Sequence, residues 1–335
     1  MSARIPKGVR WPALILSVAA AALAYLGVSL WAGADGVVRA VTRIGAQGFA
    51  AMLALSLVNY ALRFVRWQLY LRVLGHAQPV APSLCIYLAG FALTTTPGKA
   101  GEALRSVFLK PRGVPVAASM AAFFSERLSD LLAVVVLVVV GLGAFPEQWL
   151  LAGAGAGLVL ALSAPLMLPA PWQRTLHGGL RRRLAPEGRA GRAGRAVQAL
   201  AGVLAQARAC HTPWVLLAAF GLSLVAWAAE AWAFHLVLGW LGAAQGMQFS
   251  SLVYSAGVLA GAISFLPGGL GGTEATMVGL LLWAGQSQAP AVAATLLIRL
   301  TTLWFAVLIG AVALAAVLRG ERQRRVAAPH SACPA

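Results

Sequence analysis

The sequence predicts an all-α, polytopic integral membrane protein made of two inverted repeats, each with a re-entrant broken-helix hairpin. Three observations carry that prediction. First, 60% of the 335 residues are hydrophobic, 10% are charged and the mean hydropathy is +0.80. A soluble domain carries about 25% charged residues, and this chain has too few polar side chains to cover a water-facing surface. Second, apolar runs of the ~20 residues needed to cross a hydrocarbon core recur along the chain. Third, two apolar stretches are interrupted by clusters of Pro and Gly at corresponding places in two halves. Residues 1–335 therefore read as a single membrane domain.

The first element is an apolar run over 11–32, preceded by Arg4, Lys7 and Arg10. A cleaved signal has an apolar core of ~7–15 residues. This run is longer, so an uncleaved N-terminal helix is expected. Further spans are expected over 45–65, 115–142, 148–169, 213–240 and 288–318. Residues 80–110 carry Thr94-Thr95-Thr96-Pro97-Gly98-Lys99-Ala100-Gly101-Glu102 at their middle, and 249–285 carry Pro267-Gly268-Gly269-Leu270-Gly271-Gly272-Thr273-Glu274. Pro and clustered Gly stop helices, and each flanking half is too short to span. Each stretch therefore reads as a hairpin that dips into the membrane. The first repeat occupies 45–170 and the second 213–318, joined by a basic linker over 171–212 and followed by a tail over 319–335.

Lys and Arg total 26 against 9 Asp and Glu, a net charge of +17. The basic residues lie between apolar runs, with no stacking aromatics in a basic patch, so nucleic acid is not an expected partner. They act instead as topology signals. Arg63, Arg66 and Arg72, the arginine-rich linker, and Arg319, Arg322, Arg324 and Arg325 all fall on the cytoplasmic side if the N-terminus is cytoplasmic. Arg39 and Arg43 are the exception. Charge does not separate a re-entrant hairpin from one that crosses twice.

The halves resemble each other. Pro97 and Pro267 lie 170 residues apart; Asn59 precedes the first by 38 residues and Glu230 precedes the second by 37. PGKAGEA (97–103) matches PGGLGGTEA (267–275) with two extra residues. Helix 45–65 runs inward and 213–240 outward. Inverted repeats with broken helices at matching positions mark the site of a transporter-type protein.

Glu102, Glu126, Asp130, Glu230 and Glu274 lie in apolar segments, as do Lys99, Arg105, Arg127 and Arg299. A charge in the bilayer costs ~2.5–3.5 kcal/mol on insertion scales, so such residues face the protein interior and pair. Glu126 and Asp130 share a helix face at i, i+4, and Arg127 and Asp130 can pair at i, i+3. An ion-paired helix contact and a substrate role stand about level for them. For Glu102 and Glu274, each opening a half-helix, capping of backbone N–H groups is the simpler reading. The breaks themselves offer unpaired amides to an anion. Pro97 and Pro267 set them, and Gly98, Gly101, Gly268, Gly269, Gly271 and Gly272 allow close approach. Lys99, Arg105 and Arg299 can add charge-assisted bonds to a phosphate.

No catalytic, metal or cofactor site is expected. The five His and three Cys fit no zinc or redox spacing. PGKAGE is not a P-loop, and GGLGGT lacks the strand of a dinucleotide site. The glycine pairs Gly153/Gly157 and Gly257/Gly261 read as packing faces.

Arg63-Phe-Val-Arg66-Trp67, TPGKAGEALR (96–105), ERLSD (126–130) and PGGLGGTEA (267–275) together resemble the flippase-like membrane proteins. These are related to the transmembrane region of lysylphosphatidylglycerol synthase and include a branch without its aminoacyl transferase domain. The chain stops about 17 residues after its last expected helix, so that branch is the one it resembles, and lipid aminoacylation is not expected. The resemblance implies a multi-pass protein of the bacterial inner membrane, handling a phospholipid or a polyprenyl-phosphate-linked lipid. The alternatives are a scaffold partnered with a lipid-synthesis enzyme and, third, a membrane transferase. Glu102, Arg127, Glu230, Glu274 and Arg299 are expected to meet in one polar cavity between the halves.

Overall fold

The computed structural model describes residues 34–95, 104–143, 202–243 and 245–327, with single positions at 27, 145, 147, 150, 153–155, 157–158 and 161. Apart from those positions, the expected helices over 11–32 and 148–169 lie outside the described residues, as do linker residues 171–201 and the tail beyond 327. So do Pro97, Gly98, Lys99, Gly101 and Glu102 of the first break. Among the described residues every regular element is helical.

Helix α1 spans Ala34–Val73, with a break at Gly45 (φ 66°, ψ 177°) that a side chain would resist. It therefore includes Arg39 and Arg43, expected in a loop, and runs well past residue 65. Its end is closed by Gly75 in the left-handed conformation, with bonds from Gly75 N to Arg72 O and from His76 N to Leu71 O. Helix α2 (Val80–Ala89) starts after Pro79 and tightens into a 3₁₀ turn over Gly90–Leu93. After the first break comes α3 (Arg105–Leu109), then α4 (Val116–Leu142), which Pro115 starts. Helix α5 (Pro213–Trp240) has Thr212 before it and Pro at its first position, where the missing N–H costs nothing.

The second expected break is plain. Helix α6 (Met247–Ile263) stops, a 3₁₀ turn covers Pro267–Gly269, and α7 (Gly272–Trp283) starts anew. Gly268, Gly269 and Gly271 all have positive φ, and so does Phe265. Helix α8 (Gln288–Arg299) passes through a π turn at Leu300–Trp304 into α9 (Phe305–Ala327).

Among the described residues, three helical stretches, Arg39–Val73, Pro213–Trp240 and Gln288–Glu321, are long and apolar enough to cross a membrane. Helix α4 has 27 residues, about 40 Å at 1.5 Å per residue, but carries Glu126, Arg127 and Asp130. Helix α1 packs on α5; α2 and its 3₁₀ turn pack on α9; α6 packs on α4. One apolar core gathers Phe234, Val237, Val253 and Met277; a second gathers Trp67, Tyr70, Tyr87 and Phe108. Charged side chains lie between them.

Candidate functional site: a buried arginine cluster beside a cavity

Asn59, Arg63, Arg66 and Tyr70 recur at four, three and four residues, which puts them on one face of α1. That face meets Glu126 and Asp130 on α4. Arg66, fully buried, holds the Asp130 carboxylate at 2.6 Å and Glu126 at 3.6 Å, and its guanidinium also reaches the Ser223 hydroxyl. Arg63 and Arg127 both approach the second oxygen of Asp130, at 3.5 and 3.2 Å. The indole N–H of Trp227 donates to Asp130 at 3.0 Å. Arg105 holds Glu126 at 2.9 Å and lies over the Tyr87 ring, 4.1 Å from its centre. A side chain at Gly90 would meet the Arg105 Nε at 2.6 Å, so the glycine makes room for the guanidinium.

Among the described residues, four guanidiniums therefore share two carboxylates. Each Arg–carboxylate contact offsets desolvation. Beside the cluster is a cavity of about 340 Å³ that Arg63, Arg127 and Asp130 line. Glu230, Arg299, Tyr60 and Tyr254 also line it. So do the apolar side chains of Leu131, Val134, Val258, Leu259, Phe265 and Leu266. Phe265 is 74% exposed, so the apolar lining continues onto the outer surface of the helices.

Of the five residues expected to meet, Arg127, Glu230 and Arg299 line the cavity, and Glu274 is bonded to Arg299 at 2.7 Å. Glu102 lies outside the described residues. The Glu274 carboxylate accepts from Gly271 N–H at 2.7 Å, which is the capping role. It thereby fills the second break's helix start with the protein's own anion. Arg299 donates Nε to Glu274 and Nη2 to the Gly268 carbonyl, at 2.7 Å each, tying α8 to the break. Gly268 and Gly269 border the cavity, Pro267 opens the turn between them and α6, and Gly271 and Gly272 start α7. Glu126 and Arg105 lie in the buried cluster and not on the cavity wall.

Arg63 and Arg66, expected near the cytoplasmic face among the bases that balance the buried acids, are 8% and 0% exposed and bonded to α4. The polar stripe on α1 was the signal available for them. Tyr60 and Tyr254 had no signal beyond being hydroxyls in apolar runs. Tyr60 donates to the Thr302 carbonyl in the π turn, and Tyr254 donates to Glu230.

Helices of membrane-crossing length around buried ion pairs and a cavity fit an all-helical membrane protein. The chain belongs to the family described as the lysylphosphatidylglycerol synthase TM region, whose pattern matches residues 14–310. That family is connected with lipid biology through the synthase it is named for. The chain is also similar to a UPF0104 membrane protein of Methanothermobacter thermautotrophicus. The two are 24% identical over 302 residues, 87% of this chain and 89% of the relative.

Proposed function

We propose that the protein binds the anionic headgroup of a phospholipid or polyprenyl-phosphate-linked lipid in this cavity and carries it across the membrane. The observation that carries the reading is that Arg63 and Arg127 converge on one carboxylate oxygen at the wall of a cavity that is also lined by apolar side chains. Two guanidiniums at one point are suited to a phosphate oxygen pair. The wall running through Phe265 and Leu266 to the exposed surface suits an acyl or prenyl chain. The family's connection with a lipid synthase points the same way.

The packing supports two inverted halves. The arm before the first break (α2) packs on the last helix of the second half (α9), and the arm before the second break (α6) packs on α4 of the first. Gly310 faces the backbone of Ala92, and Gly141 faces that of Leu252, so the two contacts are alike in kind. In this reading both broken stretches are re-entrant and belong to opposite leaflets. The distribution of Arg and Lys puts both termini and the basic linker in the cytoplasm of a bacterial cell. A cysteine introduced into the linker should resist membrane-impermeant maleimide added to sealed cells; labelling there would overturn the orientation.

Transport is tested in liposomes holding only this protein. A fluorescent anionic lipid placed in one leaflet should equilibrate faster than in empty vesicles, and a zwitterionic one should not. No acceleration, with an enzyme recovered on pull-down, would favour a scaffold partnered with a lipid-synthesis enzyme instead.

A further inference from the structure

Resting on the headgroup reading above, we infer that Thr94 is a further binding residue of the cavity, its hydroxyl donating to the phosphate held by Arg63 and Arg127. The 3₁₀ turn over Gly90–Leu93 closes on Thr94, whose backbone N–H donates to the Phe91 carbonyl at 3.1 Å. Side chains three residues apart eclipse in such a turn, so Thr94 and Phe91 share a side of it. The Arg63 guanidinium lies over the Phe91 ring, 5.7 Å from its centre. Phe91, Arg63 and Thr94 all line the cavity. The second break comes to the same place: Gly268 is on the cavity wall, and a Cβ there would meet the Thr95 Cγ2 at 3.3 Å. Thr94 thus stands where the two broken stretches meet, one ring away from an arginine of the site.

Its hydroxyl sets it apart. Thr94 is 8% exposed, and its Oγ1 is buried with no hydrogen-bond partner among the described residues. Threonines in helices commonly turn the hydroxyl back on a carbonyl of the preceding turn. Thr295 donates to the Ala291 carbonyl at 2.8 Å, and Thr302 to that of Ile298 at 2.7 Å. Thr302 also lines the cavity, yet its hydroxyl is engaged. A buried hydroxyl without a partner is costly, and at a cavity wall a ligand supplies the partner. One rotamer step about χ1 exchanges the Thr94 hydroxyl for its methyl, a group of similar size, and breaks no hydrogen bond. A phosphate has more acceptor oxygens than two guanidiniums cover. A hydroxyl adds a charge-assisted donor without adding charge to a lining already rich in arginine.

Equilibrium binding of dihexanoyl phosphatidylglycerol and dihexanoyl phosphatidic acid to purified wild-type, Thr94→Val, Thr94→Ser and Thr95→Val protein tests the assignment. Valine keeps the shape of threonine and removes the hydroxyl. Thr94→Val should bind both lipids about tenfold more weakly, the loss of one hydrogen bond to a charged group. Its unfolding midpoint without lipid should equal or exceed that of the wild type, since no bond within the protein is lost. Thr94→Ser, which keeps the hydroxyl, should bind both lipids as the wild type does. Thr95→Val removes a hydroxyl that is also buried and unpaired but off the cavity wall, and should leave binding unchanged. A lowered midpoint in Thr94→Val, failure to fold included, would assign the hydroxyl to the protein's own bonding and overturn the proposal. Loss confined to phosphatidylglycerol would move the contact to the headgroup glycerol and overturn the phosphate assignment. Unchanged binding by Thr94→Val, weakened binding by Thr94→Ser, or an equal loss in Thr95→Val would overturn it too, and would leave the headgroup reading standing. Wild-type protein that binds neither lipid would overturn both.

Discussion

At the scale of residues, Asp130 is the hinge of the polar cluster. It accepts from Arg66, Arg63, Arg127 and Trp227. Asp130→Asn keeps the shape but leaves three guanidiniums around a neutral amide inside the protein. The expected loss is about 3–5 kcal/mol of stability, the cost of breaking a buried ion pair from one side, read as a lowered unfolding midpoint in detergent. A midpoint unchanged by Asp130→Asn would show that the cluster does not hold α1 to α4. Local relations among these residues were legible in the sequence, because helical spacing fixes them: Arg127 with Asp130 at i, i+3, and Glu274 capping its own helix. The contacts of Asp130 with Arg63 and Arg66 join residues 67 and 64 positions apart. No local rule supplies such pairs, and the charge-counting rule explained the same two arginines as topology signals. The half-helix amides at the second break looked open to an anion because the sequence shows the glycines but not the reach of the Glu274 side chain.

At the scale of elements, boundaries were legible where Pro or Gly sets them. Pro115 and Pro213 start α4 and α5 within a residue of expectation, and the Pro267–Gly272 run ends α6. The end of α1 was not legible. The apolar pattern fades near residue 65, but Trp67, Tyr70 and Leu71 are fully buried beyond it and tertiary packing carries the helix on. Helix pairing was equally hidden, and two glycines reveal it. A Cβ at Gly310 would sit 2.2 Å from the Ala92 backbone N, and one at Gly141 would sit 2.8 Å from the Leu252 backbone N. Backbone cannot step aside as a side chain can. Gly310→Ala and Gly141→Ala should therefore each cost about 1–3 kcal/mol. Gly221→Ala, on α5 with nothing within 4 Å, should be neutral or gain up to about 1 kcal/mol from helix propensity. Thermal unfolding of the three variants checks the contrast. Equal effects at all three positions would mean that these close approaches do not hold the halves together.

At the scale of the whole molecule, the membrane class followed from composition alone, since no water-facing fold can be covered with so few polar residues. Arg127, Glu230 and Arg299 were legible as the polar lining of a cavity, whereas Tyr60, Arg63 and Tyr254 were not, because only the assembled fold brings α1, α4, α5, α6 and α8 together around it. Its mixed lining links structure to the proposed role: arginines for a phosphate and apolar side chains for its tail. Binding of an anionic headgroup at Arg63 and Arg127 is the claim on which the proposed transport depends. Arg127→Gln tests it with little damage to the fold, because Arg63 and Arg66 still hold Asp130 and the Arg127 side chain is 23% exposed. The measurement is equilibrium binding of dihexanoyl phosphatidylglycerol and dihexanoyl phosphatidylcholine to purified wild-type protein and to Arg127→Gln. The account predicts preference for the anionic lipid and a loss of about tenfold to a hundredfold in that affinity alone in the variant, the worth of a hydrogen bond to a charged group. Equal affinity for the two lipids, or unchanged anionic-lipid binding by a well-folded Arg127→Gln, would contradict it.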